Sequence, residues 1–240
     1  MTVITLLEKA YGSFSRQRLE TELSFLCKDL EVKIAVKSKT TRDWVQIDIT
    51  GEDESVALKL LDKEIGLAPA SANAVGKFSA LRGRVISSDT STTEMCVDVG
   101  VFQPRICDTV IPLHHLQAQL VDGRDLPLQH VVKLFCLIDF MPVHIKVVSD
   151  LSSQEGFWKA ELSEAQLLRF NEWLKSNLDR LIVLGAHVRE VEVAVERSRH
   201  FRDVLCIEPL GLYEHAVLCK LGTDAVGLMP KLGPYMRQAF

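Results

Sequence analysis

Gly76-Lys77-Phe78-Ser79-Ala80-Leu81-Arg82-Gly83-Arg84-Val85-Ile86 opens the stretch whose reading decides the fold. Four further runs of the same kind follow. They are Met95-Cys96-Val97-Asp98-Val99-Gly100, Asp108-Thr109-Val110-Ile111-Pro112-Leu113, Pro142-Val143-His144-Ile145-Lys146-Val147-Val148 and Lys159-Ala160-Glu161-Leu162-Ser163. Each is a short strand-like run, and turn-forming residues separate several of them. Five such short strands predict a five-stranded, partly open Greek-key barrel over 76–163.

Working outward, the N-terminal segment 1–70 predicts a β-α-β-β-α unit. Val3–Leu7 reads as a strand that leaves through Tyr11-Gly12-Ser13, and Ser15 as the N-cap of a helix carrying Leu19, Leu23, Leu26 and Leu30. Val32, Ile34 and Val36 alternate with polar residues, as do Val45, Ile47 and Ile49, with a hairpin turn over 37–43. Glu52, Asp53 and Glu54 place acid at the positive end of a second helix. Small residues between Gly66 and Gly76 read as a linker.

Within the barrel, the connection from His114 to Met141 predicts one helix near Leu128–Ile138. Beyond it, 164–240 predicts a β-α-β-β unit preceded by a helix from Glu164, with Ser163 as N-cap and Gln166 at the capping-box position. The Gly- and Pro-rich tail from Gly222 reads as packed loop, with Val226, Leu228, Met229 and Leu232 in need of burial. The fold class is therefore α+β and β, a central barrel with two flanking α+β units.

Hydrophobic residues make up 47% of the 240-residue chain and charged residues 25%, enough apolar material for a real core. The net charge is −4, and no third of the chain is basic, so any positive surface is local. Apolar runs fall short of a membrane span. The N-terminus lacks the basic start and cleavage site of a signal peptide, which predicts a cytoplasmic protein. Six cysteines without a Cys-x-x-Cys pair fit free thiols in a reducing compartment.

The central run resembles the S1 RNA-binding domain of the OB-fold class. The resemblance rests on Gly83-Arg84-Val85, Val97-Asp98-Val99-Gly100, Val110-Ile111-Pro112-Leu113, Pro142 to Val148, and Lys159-Ala160-Glu161-Leu162-Ser163. The whole chain also resembles an archaeal family of this three-part layout without established activity, through Leu178-Asp179-Arg180-Leu181-Ile182-Val183 and Gly211-Leu212-Tyr213-Glu214-His215. The S1 resemblance implies a barrel face that binds single-stranded RNA. The aromatics and histidine that S1 domains carry on strands two and three are replaced here by Thr93, Cys96 and Pro112. Phe102, His114 and His115 are the nearest substitutes.

Arg82 and Arg84 stand two apart and share a strand face. With Lys77, Lys146 and Lys159 they form the candidate phosphate-tracking set, and Phe102, His114 and His115 the candidate base contacts. Two other basic groups stand out, Lys33, Lys37, Lys39 and Arg42, and Arg197, Arg199, His200 and Arg202. No metal motif, phosphate loop or nucleophile elbow appears, so neither cofactor nor catalysis is expected. Glu214-His215 reads as a hydrogen-bonded pair at a strand end. The expectation is a non-enzymatic protein that binds RNA, single-stranded or structured, in translation, transcription or RNA processing, with the ribosome or the transcription machinery as protein partner. The alternative is a protein-interaction adaptor whose barrel has lost nucleic-acid binding.

Overall fold

The computed structural model describes residues 2–12, 14–86, 93–150 and 156–236. Ser13, at the expected exit turn of the first strand, lies outside them. Strands β1 (Thr2–Lys9), β2 (Val32–Lys39) and β3 (Trp44–Gly51) form an antiparallel sheet in the order β1-β3-β2. Helices α1 (Arg16–Leu26) and α2 (Glu54–Glu64) supply Leu19, Leu23, Ala57 and Leu61 to its core. Ser15 caps α1 by accepting from Arg18 N, which satisfies one orphan donor of the first turn.

The barrel comprises β4 (Ala80–Ile86), β5 (Glu94–Val101), β6 (Cys107–Pro112), β7 (Pro142–Val147) and β8 (Phe157–Leu162). It is closed, not partly open. The strand order is β4-β5-β6-β8-β7, and β7 returns to β4. The β6–β8 pair is parallel and the other four are antiparallel. Alternate positions point inward, so Val97, Val99, Val143, Ile145, Val147, Ala160 and Leu162 fill the lumen with Trp158. Inside β5 the register shifts between Val97 and Val101. There Gly100 has φ +74°, and Asp98 Oδ1 accepts from Gly100 N at 2.9 Å. Asp98 thus holds a bulge within the strand.

Two helices, not one, bridge β6 to β7: α3 (Leu113–Leu120) and α4 (Leu128–Leu134). Pro112 ends the strand and its extended backbone starts α3, so Leu113 belongs to the helix. Leu116, Leu128, Val131 and Phe135 close this part of the core. Helix α5 (Glu164–Ser176) follows, capped by Ser163. Its Gln166 does not complete a capping box, because Ser163 N already donates to His144 O. The buried Gln166 amide instead accepts from His144 N at 3.1 Å and ties α5 to β7.

Strands β9 (Arg180–Leu184), β10 (Val204–Pro209) and β11 (Glu214–Cys219) form the last sheet, in the order β10-β11-β9, with α6 (Val188–Arg197) against it. The tail is helix α7 (Ala225–Met236), with Pro230 and Pro234 inside it. Asp224 bonds Gly227 N and Leu228 N at its start. Leu228 and Leu232, four apart, are buried, while Val226 and Met229 face solvent. Packing of one helical stripe overrides the weak propensity of Gly and Pro. Leu228→Ala should therefore cost about 2–4 kcal/mol in chemical denaturation, and Val226→Ala less than about 0.5 kcal/mol. Similar costs at both positions would overturn the docked helix.

Candidate nucleic-acid interface

Arg84 lies on the outer face of β4, as its parity with Arg82 requires, but that face is covered. Its side chain is 4% exposed. Nη2 donates to Leu7 O at 2.9 Å and lies 3.4 Å from Glu8 Oε2, and Nη1 lies 2.9 Å from Glu214 Oε2. Tyr11 Oη donates to Glu214 Oε1 at 2.5 Å. A Cβ at position 211 would fall 2.0 Å from Glu214 Oε2, so glycine there makes room for the pair. Burial disfavours the Arg84 cation, but Glu214 and Glu8 outweigh this and raise its pKa. Burial, with the Glu214 charge beside it, pushes the Glu8 carboxyl well above its ordinary range. Arg84 is thus a structural tie among β1, β4 and β11 and is withdrawn from the phosphate-contacting set.

A second tie fastens the N-terminal sheet to the barrel. Asp98 Oδ2 accepts from Lys9 Nζ at 3.0 Å and from the Trp44 indole at 2.8 Å. Trp44 is fully buried, with Lys9 Nζ 4.1 Å from its ring. Arg42 grips Asp108 through two bonds of 2.5 and 3.0 Å. The outer faces of β5 and β6 are therefore covered at Asp98 and Asp108 by Lys9 of β1 and by Arg42 and Trp44 of the β2–β3 hairpin.

The other predicted residues divide. Lys77 and Lys159 are exposed, and Arg82 and Lys146 are half-buried. Phe102 is half-buried where β5 leaves toward β6, whereas His114 and His115 stand on α3 past the far end of β6. The strand separates them, so they form no single base-contacting group. The two imidazoles pack edge to face at 4.5 Å, and among the described residues no metal-ligating cluster forms. Lys37 pairs with Asp48, Lys39 with Asp43 and Arg42 with Asp108, so that basic hairpin is largely self-neutralised. Glu214 and His215 point apart: His215 Nε2 donates to Ala186 O at 2.9 Å rather than to its neighbour. Cys206 is exposed on β10, unlike the buried Cys27, Cys107 and Cys219.

Phe78 is absent from the candidates that the sequence singles out. It is 63% exposed, in a left-handed backbone conformation (φ +70°), with Lys77 Nζ 5.1 Å and Lys146 Nζ 5.6 Å from its ring. The signal lay in an aromatic beside lysine just after a glycine. An open groove of about 520 Å3 runs from Phe78 along Ala80–Arg82 and His144–Lys146 to the first turn of α5 at Ser163–Ala165. Burial, with Arg82 and Arg169 nearby, lowers the His144 pKa to about 4, so its ring is neutral at pH 7. Glu161, 3.7 Å from Lys146, and Glu164 are the acidic groups at this groove.

A three-part chain with a closed barrel bound between two small sheets is the class that these observations define. The DUF2110 N-terminal domain model matches residues 3–71 and the DUF2110 C-terminal domain model residues 178–240, together more than half of the sequence. The chain belongs to the DUF2110 family. No curated protein matches it. Among solved structures, the crystal structure of a vaccinia virus (Wisconsin strain) protein aligns over 37% of this chain and 89% of its own, with 12% identity and a TM-score of 0.25. Among the described residues no helix is long and apolar enough to cross a membrane.

The buried ties can be tested one member at a time. Removing Arg84 strands two carboxyls, so Arg84→Ala should cost about 3–5 kcal/mol in urea denaturation; a loss below about 1 kcal/mol would contradict the tie. Because the folded Glu8 pKa is raised, its contribution to stability is full below the ordinary carboxylate range and is lost as pH rises through the raised value. Glu8→Gln keeps a donor toward Glu214 and cannot ionise. Its Tm should fall less than that of the wild type between mildly acidic and alkaline pH, and parallel curves would rule out a protonated Glu8.

Proposed function

We propose that the barrel is an S1-like barrel of the OB class and that this non-enzymatic protein binds single-stranded RNA along the groove between Phe78 and α5. The strand order with its parallel β6–β8 closure fits that class. The observation that carries the reading is Phe78, an exposed ring under two ammonium groups at the mouth of an open groove. A base stacked there would contribute roughly 1–3 kcal/mol without regard to its identity. Lys77, Arg82 and Lys146 would follow the phosphates, and the neutral His144 ring offers hydrogen bonding without adding charge.

The proposal moves the binding surface from its customary place. OB barrels commonly bind on the strand-two and strand-three face, and here Trp44, Lys9 and Arg42 cover the corresponding β5–β6 face. That covering closes the customary face to RNA, as the adaptor reading supposes of it. The β4–β7 side remains open.

Fluorescence anisotropy with a labelled single-stranded RNA at two salt concentrations separates the readings. Phe78→Ala should weaken binding about tenfold or more. Lys77→Ala and Lys146→Ala should each reduce the salt slope by about one. RNA affinity and salt slope unchanged in all three variants would overturn the groove, and no binding at low salt would favour the adaptor.

A further inference from the structure

The end of the C-terminal sheet where β10 begins and β11 ends carries the basic group that the groove does not use. The turn from α6 to β10 presents Arg199, Phe201 and Arg202, all exposed. Lys220 N donates to Asp203 O at 2.8 Å, which binds this turn to the one leaving β11. His200 Nδ1 lies 2.6 Å from Asp203 Oδ2, so the turn is held from within and its other side chains project outward. Lys220 and Lys231 both act on the Asp203 carboxylate, which places two more cations around it. Phe201 is 55% exposed, and the Arg202 guanidinium lies 5.8 Å from its ring.

We infer that this turn is a second contact for the same single-stranded RNA, with Phe201 stacking on a base and Arg199, Arg202 and Lys220 holding phosphates. The inference rests on the groove reading for the identity of the ligand. It repeats the chemistry of Phe78, a solvent-exposed ring with cations on and beside it. Phe25 is another exposed ring with a lysine at it, Lys28, and has Asp29 and Glu31 close in sequence. Asp203 lies inside the cluster, where His200 and lysine neighbours offset it, and Glu196, Asp179 and Asp224 are further acidic groups at this sheet end.

Geometry links the two surfaces. The groove ends at the first turn of α5, and α5 runs 13 residues, roughly 20 Å, to Ser176. Three residues later Asp179 accepts from Cys219 N and from Ala225 N, so the far end of α5 reaches the sheet end that bears the basic turn. A strand long enough to pass along α5 would engage both surfaces at once. A short one would occupy the groove alone. Joining two weak contacts on one strand multiplies affinity through effective concentration.

The test measures anisotropy of the full chain with RNAs of about six and about 24 nucleotides, lengths that bracket one site and two. The wild type should bind the longer RNA at least about tenfold more tightly. Arg199→Glu combined with Arg202→Glu should remove that gain and leave the short RNA unaffected, and Arg199→Lys with Arg202→Lys should restore most of it. Loss of short-RNA binding by Phe78→Ala alone keeps the two failures apart. Short-RNA binding with no length gain, or a gain that survives the double Glu variant, overturns the second contact and leaves the groove standing. A length-dependent binding that the double Glu variant abolishes while Phe78→Ala changes nothing overturns the groove and supports the turn. Co-sedimentation with phosphatidylserine vesicles that the double Glu variant loses, without any RNA length gain, assigns the turn to a lipid surface and overturns the proposal.

Discussion

A guanidinium removed from water has to be met by charge, and Arg84 is met from both ends of the chain. Leu7 and Glu8 come from the first strand, and Glu214 from the last. Neither flanking sheet supplies enough alone. Burial and the neighbouring Glu214 raise the Glu8 pKa, Glu214 meets the guanidinium from the other end of the chain, and Tyr11 donates to Glu214 and holds it in place. Breaking such a buried set by removing one member is costly even though the intact set contributes little net stability. Its value here is registration. It sets where two sheets sit on a barrel that shares no strand with either.

The same logic explains the face that the barrel gives up. Asp98 sits at a bulge that turns its carboxylate outward, and Lys9 and the Trp44 indole converge on it. Arg42 does the same for Asp108. An outer barrel surface that carries carboxylates repels phosphate but welcomes ammonium, guanidinium and indole donors from the adjoining hairpin. The chain has filled that surface with its own cations and its own aromatic ring. What stays open is the β4–β7 side, where the cations Lys77, Arg82 and Lys146 have an exposed phenyl ring beside them.

The barrel was legible because five short strand-like runs stand between turn residues, and period-two alternation survives in β7 and β8. Helices α3 and α7 were not. In α3 the apolar spacing is short and begins at a residue that also completes a strand pattern, so Leu113 read equally well either way. In α7 two prolines and two glycines mask a stripe of only two buried leucines. For the site, parity placed Arg82 and Arg84 on one face correctly, but whether a face is wet depends on contacts between residues more than 70 positions apart. Phe78 was readable in principle as an aromatic between a glycine-lysine pair and a strand. Local sequence carries no sign of its left-handed backbone, which turns the ring outward.

Arg84 and Glu214 are 130 positions apart, and that separation has a consequence during synthesis. At roughly 5–20 residues per second, on the order of ten seconds pass between their emergence from the ribosome. During that interval the barrel strands can pair and the N-terminal sheet can dock through Asp98, because those partners are already made. The Arg84–Tyr11 side must wait hydrated, with its third partner unborn. The native arrangement is thus completed from the C-terminal end, and a chain cut short before residue 214 would present to the cell's quality control a nearly finished protein with an unanswered charge at its seam.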